Sequence, residues 1–82
     1  MACYYFHLCD GQDTLLDSEG REIGDPALLR GLVLKDARAI IAQDAIAGHI
    51  QLGQSIQVQD ESGAVVHELH FRDAVTIEGV SA

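Results

Sequence analysis

The chain has 82 residues, 13 of them acidic and five basic, giving a formal charge of −8, and 48% of it is hydrophobic. That length allows one small domain, residues 1–82, with a thin stability margin, and the apolar content excludes a disordered tail. The charge repels phosphate backbones, so nucleic acid is not an expected partner, and no apolar run approaches the ~18 residues that a membrane span needs.

No pattern of basic, then apolar, then small residues opens the chain, so no signal peptide is expected and a cytoplasmic location is. In that compartment Cys3 and Cys9 are expected as free thiols. On one strand they stand roughly six residues apart at ~3.3 Å each, too far for a disulfide between them.

The first element is carried by Tyr4-Tyr5-Phe6-His7-Leu8-Cys9-Asp10-Gly11. Residues 3–9 alternate, with Tyr4, Phe6 and Leu8 on one face and Cys3, Tyr5, His7 and Cys9 on the other, which predicts a β-strand. Asp10-Gly11 reads as a hairpin turn. Thr14 to Asp17 read as a second strand, and Asp17-Ser18-Glu19-Gly20 as a turn in which Gly20 is free to take positive φ. Arg21 to Ile23 add a short third strand.

Gly24-Asp25-Pro26 announces a helix. Asp25 caps free N–H groups and Pro26 suits the first helical position. Helical character runs to about Ala47, where Gly48 is placed to stop it. At 100° per residue Leu29, Val33, Ala37, Ile40 and Ile41 form the main apolar stripe. Leu28, Leu32 and Ile46 fall outside it, and one packed face does not account for them. After a loop, Ser55 to Gln59 alternate with Ile56 and Val58 inward, Asp60-Glu61-Ser62-Gly63 makes a turn, and Val65 to Phe71 form a strand. His67 then falls on the inward face, awkward unless it lies near an edge. Thr76 to Glu78 read as a short strand or a packed tail.

The expected fold is therefore α+β in two layers: an antiparallel sheet built as β-hairpin, one long helix, β-hairpin, with the helix on one face. The expected core is Tyr4, Phe6, Leu8, Leu29, Val33, Ala37, Ile40, Ile56, Val58, Leu69 and Phe71. The opposite sheet face carries Tyr5, His7, Cys9, Val66 and His70, too apolar for ordinary solvated surface. Tyr5, His7, Val66 and His70, with Leu28, Leu32 and Ile46 on the helix, are the candidate interaction residues, and the expected partner is a second copy of the chain.

Chemistry has thinner support. Cys3, His7, Cys9 and His70 are ligand types for zinc, but no C-x-x-C or H-x-x-x-H pair is present. Asp17-Ser18-Glu19-Gly20 resembles the start of a calcium loop without its closing glutamate. Cys9 beside His7 meets the minimum for a nucleophile and base, yet no oxyanion site, Walker loop or dinucleotide fingerprint accompanies them. No catalytic residue, metal or other cofactor is expected.

"YYFHLCDG", the "DSEG" turn, the acidic helix start at Asp25 and the late "VQDESGAVVHELHF" together resemble a family of short, mainly alphaproteobacterial proteins described as a domain of unknown function. Its members open with Arg-Tyr-Tyr-Phe-His-Leu followed closely by Asp-Gly. Tyr4, Tyr5, Phe6, His7, Leu8, Asp10, Gly11, Asp17 and Gly20 match that frame, while Cys3 and Cys9 replace residues more usually basic. The resemblance implies no reaction. A looser likeness, in order and size, is to the small strand-strand-helix-strand domains of HicB-type antitoxins, and it implies a basic protein partner. The sequence thus leads to a non-enzymatic interaction module that pairs with itself, with an acidic partner of a basic protein as the alternative.

Overall fold

A computed structural model describes residues 2–79 of the chain. The alternation near the N-terminus becomes strand β1, Ala2–Asp10. Gly11, at φ 62°, turns the chain into β2, Asp13–Leu15, and β3 follows at Arg21–Ile23. Both short strands pair antiparallel with β1 on the same side, β2 against Leu8 to Asp10 and β3 against Ala2 to Tyr4. The sequence pattern carried the second strand to Asp17. It ends at Leu15, because Leu16 and Asp17 leave the ladder to form a loop beside the middle of β1.

Asp25 begins the helical segment as expected, its carboxylate accepting the Ala27 N–H at 3.0 Å. The first turn, Pro26–Leu28, is 3-10, and α1 runs over Leu29–Ile46. Gly48, at φ 87°, closes the helix with its N–H on the Ala45 carbonyl. Leu29, Val33, Ala37 and Ile41 are its buried residues, spaced to form one stripe.

Strands β4, Gln54–Gln59, and β5, Val65–His70, make the second hairpin. The sheet order is β2-β1-β4-β5, with β3 also on β1. β4 pairs antiparallel with β1, Phe6 opposite Val58 and Leu8 opposite Ile56. A register shift follows Val58, which faces His67 while Gln59 faces Val65, so Val66 is the extra residue of a bulge. α1 covers one sheet face, packing on β4 and β5. The fold is the expected two-layer α+β arrangement.

The core forms where the helix stripe meets the inner face: Tyr4, Phe6, Ile23, Leu29, Val33, Ala37, Ile41, Ile56, Val58, Phe71 and Ala74 are buried. Leu8, Ile40 and Leu69 are only partly buried and pack against this cluster. Phe71 leaves the strand expected for it and opens a second 3-10 turn, Phe71–Asp73, while remaining fully buried. The Arg38 side chain ties this turn to the helix, donating from Nε to the Ala74 carbonyl at 2.8 Å. Thr76 to Glu78 take no regular secondary structure. Among the described residues, no helix is long and apolar enough to cross a membrane.

Candidate functional site

β1 is the strand on which the sequence concentrates its aromatic and thiol groups, and its two edges are incompletely paired. β2 and β3 leave Tyr5 to His7 without a strand on one side, and β4 stops short of Cys3 on the other. Each gap receives a carboxylate. Asp17 Oδ2 accepts the Phe6 N–H at 3.0 Å, and Glu61 Oε1 accepts the Cys3 N–H at 2.9 Å. Both satisfy a backbone donor that a neighbouring strand would otherwise take.

Asp17 does more. Its Oδ1 accepts the N–H groups of Glu19 and Gly20, and its own N–H donates to His7 Nδ1 at 3.0 Å. His7 therefore carries its neutral-form proton on Nε2. Partial burial pushes the Asp17 carboxyl up, but the three N–H donors and Arg21 outweigh it and hold the group below its ordinary value. The loop is drawn over the outer face of β1. Gly20, at φ 72°, lies so close to that face that a Cβ there would stand 2.6 Å from Cys3 Sγ and 2.9 Å from Tyr5 Cε2. The rings of Tyr5 and His7 stack with centroids 6.4 Å apart and planes within 10°. A hydrogen bond to the Cys3 thiol, the electrostatics of that thiol, burial, and the carboxylates of Glu61 and Asp17 push the Tyr5 hydroxyl above its ordinary value.

This arrangement changes the meaning of His7. The sequence put it on an open contact face, but it is 7% exposed and spends its acceptor on the Asp17 backbone. Tyr5 is half-buried beneath the same loop. Two of the ligand types named for zinc stand apart on the sheet. Cys9, Ser55 and His70 stand in one row across three strands, so about 10 Å of sheet separates the thiol from the imidazole. Among the described residues no group of three or more His, Cys, Asp or Glu gathers to hold a metal ion. In the calcium-like turn, the Asp17 carboxylate is already occupied by backbone donors.

The remaining candidate residues lie on two exposed surfaces. On β5, Val65 and Val66 are 52% and 44% exposed, and the His70 imidazole lies 3.4 Å from the Glu68 carboxylate. On the helical segment, Leu28 and Ile46 are 56% and 89% exposed, and Leu32 packs partly against the core. Two leucines that the sequence reading left aside join this second surface. Leu15 and Leu16 are 70% and 69% exposed. They border a cleft of about 500 Å³ between the β2–β3 arm and the helix, floored by Phe6 and Ile56 and walled opposite by Ala39 and Ile40. Alternation along a strand marks only one of two adjacent leucines as exposed; the exposure of both follows from the strand ending at Leu15 and from the helix not reaching the β2 end of the sheet.

A smaller hollow of about 380 Å³ lies at the other end of the helix, bordered by Tyr4, Leu29, Arg30, Asp60, Val66 and His67. His67 faces inward on the edge strand, as its place in the alternation predicted, and its Nε2 is buried without a hydrogen-bond partner among the described residues.

The family model described as Domain of unknown function (DUF6894) matches residues 3–72. No curated protein and no solved structure matches the chain.

Proposed function

We infer that this chain, which belongs to the DUF6894 family, acts as a non-enzymatic protein-interaction module and associates with a second copy of itself along β5. The observation that carries this reading is the free border of that strand. β5 is the last in the sheet order and, among the described residues, pairs only with β4. Its outer edge therefore presents backbone N–H and C=O groups to any strand laid beside it. The six residues Val65–His70 contain no proline and no lysine, the residues that commonly guard such an edge. The exposed Val65 and Val66 add apolar area at one end.

The charge of −8 acts against this association, because each copy repels the other. Salt screens that repulsion, the Debye length being about 8 Å at physiological ionic strength. Self-association through β5 is therefore expected to tighten as salt is added. Sedimentation velocity from micromolar to millimolar protein is expected to show a monomer–dimer equilibrium moving toward dimer at high salt. The double variant Val65→Lys, Val66→Lys is expected to remain monomeric with an unchanged circular dichroism spectrum, although it carries less net charge. A wild-type chain that stays monomeric at millimolar concentration in high salt overturns the reading.

A further inference from the structure

The helix and the sheet do not match in width. α1 packs on β4 and β5, and it covers Tyr4 and Phe6 of β1 but not the inner face at the β2 end of the sheet. Leu15 shows the result. It stands in one inner-face row with Leu8, Ile56 and Leu69, each opposite the next across neighbouring strands. Leu69 and Ile56 lie beneath the helix layer, but Leu15, at the other end of the row, is left in solvent.

The helix flank outside the buried stripe carries several apolar residues. Leu28, Leu32, Ala39 and Ile46 recur there at helical spacing with Lys35, Asp36 and Gln43 among them. Asp36 and Ala39 border the cleft directly. The space between this ridge and Leu15 and Leu16 is a trough with an apolar floor, running beside a helix of 18 residues. A second helix laid next to α1 at the usual 8–10 Å interaxial distance would cover both leucines and the ridge.

The charge of the outer wall selects the occupant. Asp17, Glu19 and Asp36 border the cleft against Arg21, and the flanking chain over residues 10–25 adds Asp10, Asp13, Glu22 and Asp25. Even that arginine is engaged, stacked 4.4 Å from the Phe6 ring centroid and paired with the Asp36 carboxylate. A second copy of the chain would bring its own −8 to this wall. We propose that the trough receives a basic amphipathic helix of a partner protein, its apolar side on Leu15, Leu16 and Ile40 and its cationic side toward the acidic arm. This inference does not depend on pairing along β5, and its salt dependence has the opposite sign.

The test uses a fluorescently labelled helical peptide of leucine and lysine, about fourteen residues and some 21 Å long, titrated with the full chain and followed by anisotropy. Binding is expected, and it is expected to weaken steeply as salt rises. Leu16→Ser, a change at an exposed side chain, is expected to weaken it about tenfold through lost apolar burial. The Val65→Lys, Val66→Lys variant is expected to bind the peptide as wild type does, which separates this surface from the β5 edge. A peptide with serine in place of leucine, and one with glutamate in place of lysine, are both expected to bind at least tenfold more weakly. The proposal is overturned if the leucine–lysine peptide fails to bind, if either control binds equally well, or if Leu16→Ser has no effect.

Discussion

Asp17-Ser18-Glu19-Gly20 and Asp60-Glu61-Ser62-Gly63 are turns of the same composition with the middle pair reversed, yet the fold uses them differently. In the second turn the aspartate acts locally, and only the neighbouring Glu61 reaches away, to the Cys3 N–H. Asp60 Oδ1 accepts from the Ser62 N–H, the Ser62 hydroxyl and the Ala64 N–H, and Gly63 meets nothing that a Cβ would touch. In the first turn the same aspartate chemistry reaches across the chain. Asp17 holds the Phe6 N–H and donates to His7, while Gly20 closes onto Cys3 and Tyr5. Composition specifies that a turn forms. Whether the turn also carries tertiary structure depends on what it is folded against.

The comparison is broken most severely at the glycines. Gly20→Ala combines a positive-φ penalty with a clash against Cys3 Sγ and the Tyr5 ring, and is expected to cost about 2–4 kcal/mol in urea denaturation. Gly63→Ala meets only the φ penalty, at φ 86° with open space around it, and is expected to cost about 1 kcal/mol. Equal costs would show that the loop does not press on β1.

The aspartates give a smaller difference. Asp17→Ala leaves the Phe6 N–H without its acceptor in a partly buried position, for an expected cost of about 1–3 kcal/mol. Asp60→Ala is expected to cost less, because its donors are exposed to water. The acid response sharpens this contrast. The N–H donors around Asp17 hold its carboxyl low in the folded chain, so its contribution is present above the ordinary carboxylate value and is lost as pH falls through the folded one. Wild type is therefore expected to lose stability as pH drops below about 4, and Asp17→Asn is expected to flatten that decline. Asp60 is also held low, first by the Ser62 hydroxyl, against the opposing effect of desolvation, and then by the N–H groups of Ala64, Ser62 and Gly63. Asp60→Asn is expected to flatten the decline less.

The smallest effect is expected at Arg21, which holds the first arm to the helix by an exposed ion pair with Asp36. Asp36→Asn is expected to cost no more than about 1 kcal/mol, and less in high salt.

Much of the fold could be read from local pattern, because local physics determines it. Alternation located β1, β4 and β5, the Asp25-Pro26 pair located the helix start, and Gly48 located its end. What could not be read was decided at long range. Nothing local says that Asp17 abandons its strand, since the competing donor, Phe6, lies on β1. The alternation assigned His7 to the outer face of β1, but its burial there depends on a loop folding back over it. The same limit applied to the candidate surfaces. Leu28, Leu32 and Ile46 stood out because helical spacing isolates them from the stripe. Leu15 and Leu16 did not, because their exposure follows from the width of the helix relative to the sheet.

The unequal borders of the sheet limit what it can build. On one side, β2 and β3 divide the border into two three-residue pieces with a folded loop between them, which is a poor template for another chain. On the other, β5 offers a longer border of six residues, with a bulge at Val66 near one end. A copy added there consumes the long border of both molecules at once. Under the proposed pairing, growth would terminate at that step, and the product would be a closed pair instead of a fibre.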